Sequence, residues 1–129
     1  MHCPTRVYAD VVVAAADGRI DFGGAQELED AMASAIAAES GTRGLVVDMS
    51  KVDYSSSGGL RSLMVAAKAL RARKAVIAVA ALKPVVAEIF EISRFHHVVD
   101  VRHTVREAIA AISPQARAAW DREHPAEAG

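Results

Sequence analysis

The sequence predicts an α/β domain with a mostly parallel sheet, an N-terminal hairpin at the sheet's edge and about four helices. Two observations carry that expectation. Gly44-Leu45-Val46-Val47-Asp48-Met49 and Ala75-Val76-Ile77-Ala78-Val79-Ala80 are short apolar runs, the pattern of strands covered on both faces. Segments with apolar residues at helical spacing follow each of them, and strands alternating with helices call for right-handed βα units around a parallel sheet. The 129 residues, 52% of them hydrophobic, fit one domain able to bury a core without disulfides or metals.

Taken in order, Val7 to Ala16 reads as a strand, Asp17-Gly18 as a turn and Arg19 to Phe22 as a second strand, together a hairpin. Gly23-Gly24 then breaks the chain. Leu28, Met32, Ala35 and Ile36 form the buried stripe of the first helix, with Glu27, Glu29, Asp30 and Glu39 outside and Gly41 as its stop. After the strand at 44–49, Leu60, Leu63, Met64, Ala67 and Leu70 line one side of a second helix, opposite Arg61, Lys68 and Arg71. The strand at 75–80 leads to a third helix that opens at Pro84 and buries Val85, Val86, Ile89 and Phe90. Val98 to Val101 is a short final strand. Thr104-Val105-Arg106-Glu107 is a capping box, and it opens a last helix with Val105, Ala108, Ile109 and Ile112 inward. Pro114 ends that helix, so the domain is expected to occupy residues 1–113. Residues 114–129 are expected to form a frayed polar tail whose removal leaves folding intact, with Trp120 unassigned.

Chemistry is concentrated where the central strand gives way to the second helix. There, Val52-Asp53-Tyr54-Ser55-Ser56-Ser57-Gly58-Gly59-Leu60-Arg61 places three hydroxyls and two glycines at a helix start. Unpaired backbone N–H groups and the positive dipole end favour an anion at such a point, including a phosphate carried by Ser57 itself. Taken alone, Ser57 is accounted for by a plain helix N-cap, a position that favours serine.

The run Asp48-Met49-Ser50-Lys51-Val52 followed by Tyr54-Ser55-Ser56-Ser57-Gly58-Gly59-Leu60-Arg61 resembles the STAS domain family, the anti-sigma factor antagonists of bacterial partner-switching systems. Gly18-Arg19-Ile20-Asp21 is similar to that family's early motif. Ile89-Phe90-Glu91-Ile92-Ser93-Arg94-Phe95 is similar to its helix end before the last strand, so the resemblance covers about residues 6 to 112. Two positions depart from the commonest pattern: Ser56 stands where Asp is frequent, and Gly58 where Ser, Thr or Ala is frequent.

The resemblance implies a sheet with helices wound in a short β/α superhelix. It implies that Ser57 is the phosphorylated residue and that Asp21, Asp53, Tyr54, Ser55, Ser56, Gly58, Gly59 and Arg61 contribute to the partner-binding surface. The implied partners are an anti-sigma factor of the histidine-kinase-like ATPase fold, acting as a serine kinase, and a serine phosphatase that restores the hydroxyl. ATP and magnesium would belong to the kinase, and no cofactor to this chain. Two other roles within the resemblance are a soluble accessory subunit of a transporter and a ligand-binding STAS domain without catalysis.

Other function classes fit the residues less well. A formal charge of −1 offers no basic footprint for nucleic acid, and the Arg71 to Lys74 run reads as a solvated helix end. Cys3 is the sole cysteine, which excludes an intrachain disulfide. The sequence shows no basic leader and no stretch approaching ~18 uninterrupted apolar residues, so a cytosolic protein without direct membrane insertion is expected. A nucleophile elbow wants Gly two residues before its serine, where Ser55 stands. His96 and His97, adjacent on an extended segment, would point apart and would not share a metal ion with His103. Asp48 and Asp53 bracket the loop and could hold a magnesium ion near phosphate or hydrogen-bond loop N–H groups, the second reading being favoured for Asp48, and the serine-glycine loop lacks the lysine of a phosphate-binding P-loop. The expected molecule is a binding module, not an enzyme.

Overall fold

The apolar runs predicted as buried strands are neighbours at the centre of one five-stranded sheet. The structure, a computed structural model, describes residues 1–128. Its elements are β1 (Thr5–Tyr8), β2 (Val11–Ile20), α1 (Phe22–Ala38), β3 (Gly44–Ser55), α2 (Ser57–Ala72), β4 (Val76–Ala80), α3 (Pro84–Ile92), a 3-10 turn (Phe95–His97), β5 (Asp100–Arg102), α4 (Val105–Ile112), α5 (Pro114–Glu123) and α6 (Pro125–Ala128). The strands lie side by side in chain order; β1 runs antiparallel to β2, and every later pair is parallel.

Several boundaries differ from the sequence expectation. The hairpin exists, but its turn is Ala9-Asp10, because Tyr8 pairs directly with Val11 and Ala9 takes the left-handed conformation (φ 52°) that two-residue hairpin loops require. Asp17-Gly18 is a bulge inside β2 instead of a turn. The register with β3 shifts on either side of it, Gly18 has φ 124°, and His2 bridges Asp17 through two backbone bonds of 3.0 and 2.7 Å. Gly23-Gly24 does not break the chain either, since both lie in the first turn of α1. β3 continues six residues past Met49 to Ser55, and the last strand starts only at Asp100, after the 3-10 turn.

Strands added in one direction by right-handed crossovers put every connecting helix on the same face. Accordingly α1, α2 and α3 pack on Val12, Ala14, Ile20, Leu45, Val47, Met49, Ile77 and Val79. That leaves Tyr8, Val11, Val13, Val46, Ala78 and Ala80 on the opposite face to be covered by something after β5. Half of that cover comes from the segment expected to fray. Residues Pro114 to Glu123 are helical, and Ala116 and Trp120 are buried against this face. Ser113 caps the helix, its hydroxyl accepting from Ala116 N at 3.1 Å and donating to Asp10 Oδ1 at 2.6 Å. Polar composition hid the helix because only one residue per turn, at i and i+4, does the packing.

Two ion pairs fasten α5. Arg106 reaches Asp121 with bonds of 2.9 and 3.2 Å, and Arg6 of β1 holds Glu123. Hydrogen bonds from these guanidinium groups, helped by their charge, hold both carboxyls below their ordinary values of 3.8 and 4.5. A carboxyl depressed in the folded state stabilises it above the unfolded pKa and ceases to do so as pH falls through the folded pKa. The Tm deficit of an Asp121→Asn, Glu123→Gln variant is therefore expected to be small but measurable near neutrality and smaller at about pH 3, where loss of the carboxylate charge has begun. A deficit of the same size at both pH values would show that the ion pairs are not its source.

A candidate functional site at the start of the second helix

The end of the β2–β3 pairing positions the site. Ile20 pairs with Ser55, and Ser56 N donates to Ile20 O at 2.8 Å, so both strands stop together and turn at once into α1 and α2. The two helices begin side by side. Ser62 of α2, buried, donates its hydroxyl to Ala25 O at 2.9 Å and to Gly58 O at 3.1 Å, locking the two first turns together. Gly24 and Gly59 let the two first turns lie close against the strand ends: a Cβ on Gly24 would run into the backbone carbonyl of Arg19, and one on Gly59 would lie 2.6 Å from Ile20 Cγ2.

The two helix starts are not equivalent. Asp21 caps α1, its carboxylate accepting from Gly24 N at 2.9 Å. Ser56, the N-cap of α2, makes no side-chain cap bond, and the first turn of α2 holds no acidic residue. The N–H donors and positive dipole end of α2 are thus left for an external anion. Within the serine trio the burial also differs. Ser55 is 4% exposed and donates to Ser56 O at 3.2 Å; Ser56 Oγ is buried and has no hydrogen-bond partner among the described residues; Ser57 is exposed at the first helical position.

The other expected residues surround this point. Gly58 and Gly59 complete the first turn, and Arg61 is exposed on α2 four residues beyond Ser57. Tyr54, partly exposed, lies under the Arg19 guanidinium at 4.6 Å. Asp53 is paired with Lys83, whose hydrogen bond and charge hold that carboxyl below its ordinary value. Arg19, Lys83 and Phe22 were missed at the sequence level. Lys83 was findable, because it precedes Pro84 at the start of a helix and so belongs to a loop at the same end of the sheet. Phe22, which the sequence pattern places at the end of a strand, is the first residue of α1 and is 94% exposed beside Asp21.

Asp48 Oδ1 accepts from Ser50 N at 3.0 Å, in keeping with the structural reading of that residue. His96 and His97 correct a premise: they occupy the 3-10 turn, not an extended segment, and their rings lie 4.2 Å apart. No group of three metal-ligating side chains occurs among the described residues. His103 and His124 line a groove on the other face of the sheet. Among the described residues no helix is long and apolar enough to cross a membrane.

Residues 2–108 match the model for the STAS domain. The chain is 37% identical over 101 residues to BtrV of Bordetella bronchiseptica, a protein named as an anti-sigma factor antagonist, covering 78% of this chain and 84% of that one. Its fold is similar to the crystal structure of an anti-sigma factor antagonist from Mycobacterium paratuberculosis, with a TM-score of 0.77 at 23% identity over 86% of this chain and 92% of that one. It is also similar to the Bacillus cell fate determinant SpoIIAA in its phosphorylated form, with a TM-score of 0.66 at 15% identity over 87% of this chain and the whole of that one.

Proposed function

The chain belongs to the STAS domain family, and from that premise we propose that it is an anti-sigma factor antagonist switched off by phosphorylation of Ser57. The observation that carries this reading is the exposure of Ser57 while Ser55 and the Ser56 hydroxyl are buried, which leaves one hydroxyl of the three open to a kinase. The name of the Bordetella relative supports the antagonist role. Unphosphorylated, the chain docks through Asp21, Asp53, Tyr54, the serine-glycine turn and Arg61, with Phe22 as an apolar anchor. Its partner is an anti-sigma factor of the histidine-kinase-like ATPase fold, which supplies ATP and magnesium; a separate phosphatase reverses the modification in the cytoplasm. The chain itself performs no catalysis.

Local electrostatics explain how the switch works without unfolding. A phosphate adds about −1.5 to −2 charges, and at the start of α2 the uncapped N–H groups and dipole stabilise it where it is made. The same charge must be desolvated for a partner to dock, so affinity falls while the fold persists. Ser57→Asp is expected to weaken binding of the anti-sigma factor at least tenfold, about 1.4 kcal/mol. Ser57→Ala is expected to bind as wild type and to resist the kinase. Titration of both variants, with phosphopeptide mapping after incubation with kinase and ATP, checks this. Phosphate on Ser55 or Ser56, or Ser57→Asp binding as tightly as wild type, would overturn the reading and leave the transporter-subunit role as the next to test.

A further inference from the structure

The face of the sheet opposite α1, α2 and α3 is only partly covered by α4 and α5. What remains is a groove of about 700 Å³, within the size range of small-molecule sites, and none of its lining residues belongs to the Ser57 surface. Across its floor Asp48 of β3 pairs with Ala15 of β2 on one side and Ala80 of β4 on the other. Both cross-strand neighbours of the carboxylate are alanines, which add little bulk beside it. One wall is aromatic: Tyr8 and Trp120, with His124 stacked on the indole at 4.1 Å.

The charge balance of the groove decides what it fits. Arg6 and Arg106 both line it, but each is already neutralised, by Glu123 and Asp121. His124 Nδ1 lies 2.9 Å from Trp120 O, and His103 lines the far side near the start of α4. Asp48 accepts one bond from Ser50 N and is in no ion pair among the described residues. Glu127 adds a second carboxylate at the edge. The charge left without a counterpart is negative, and the groove that holds it has an aromatic wall in which His124 covers one face of Trp120 and the Arg6 guanidinium stands 5.9 Å over the Tyr8 ring.

We propose that this groove is a binding site for a small organic amine, with Asp48 holding the ammonium group and Tyr8 and Trp120 covering an apolar body. The site goes beyond the partner-switch reading and does not depend on it.

Trp120 is the sole tryptophan of the chain, so its fluorescence reports on the groove wall, and calorimetry provides a second readout. The probes are 2-phenylethylamine, its alcohol 2-phenylethanol and the acid 3-phenylpropionate. Saturable binding is expected for the amine, at least tenfold weaker binding for the alcohol and none for the acid. Asp48→Asn retains an acceptor for Ser50 N and is expected to lower amine affinity at least tenfold with little change in Tm. Ala15→Val, a strand-compatible change that fills the floor, is expected to block binding and stands in should the Asp48 variant fold poorly. Equal affinity for all three probes, preference for the acid, unaltered binding in a folded Asp48→Asn or Ala15→Val protein, or no saturation by ~10 mM amine would overturn the proposal.

Discussion

Trp120→Ala is expected to destabilise the protein by about 3–5 kcal/mol, the usual cost of truncating a buried aromatic residue, and to lower Tm by roughly 10–20 °C in a domain of this size. Trp120 is 7% exposed and packs in the cluster with Tyr8, Val11, Val13 and Ile109. Its removal would leave α5 held by Ala116, the Ser113 cap and exposed ion pairs. Because the variant lacks the chain's tryptophan, the melt should be followed by far-UV circular dichroism. Removing residues 115–129 should cost at least as much, the reverse of what the polar composition of that segment suggests. A shift below about 3 °C for either change would mean that α5 does not pack on the sheet in solution.

Gly24→Ala is the second change expected to be severe. The added methyl would meet the Arg19 carbonyl, and because that oxygen is backbone at the end of β2, no side-chain rotation can relieve the overlap. About 3 kcal/mol, the upper part of the range for overpacking, is the expected loss. The same methyl one residue earlier tells a different story. At Gly23 it would stand 3.9 Å from Asp21 Oδ1, an ordinary contact, and the gain in helix propensity should leave Gly23→Ala neutral or up to ~1 kcal/mol more stable. Urea midpoints of the two variants test the contrast, and equal midpoints would mean that the first turn of α1 does not lie as close to the end of β2 as described.

What could be read from the sequence divides along physical lines. The βα alternation, the central strands and the capping box at Thr104 were legible because long-range packing agrees there with local pattern. The residues of the candidate site could be named for a related reason: Ser57 and its neighbours are contiguous in the chain, and Asp21 lies at the end of a recognisable strand motif. The errors came where tertiary context outvotes local signals. Asp17-Gly18 has the composition of a turn, yet pairing with β3 draws it into a bulged strand. Ala9-Asp10 carries no glycine and still forms the hairpin loop, with Ala9 at φ 52°. Residues 114–123 have the composition of a polar tail, because a helix that buries two residues has almost no apolar signature. Phe22, Arg19 and Lys83 are remote from Ser57 in the chain, and it is the folded sheet that sets Arg19 over Tyr54 and Lys83 beside Asp53.

The strict chain-order arrangement of the strands bears on how the molecule is made. During synthesis each new βα unit can dock on the one that emerged just before it, so the sheet and its α1–α3 side can assemble while the ribosome is still working. The other side cannot. Tyr8, Val11, Val13 and Val46 are among the earliest apolar residues made, but the helices that cover them are translated after the last strand. Nascent chains therefore carry a bare hydrophobic sheet face through most of translation. That interval is when a holdase chaperone would find its grip, and a stop codon just before Pro114 would leave the face with the α4 half of its cover alone.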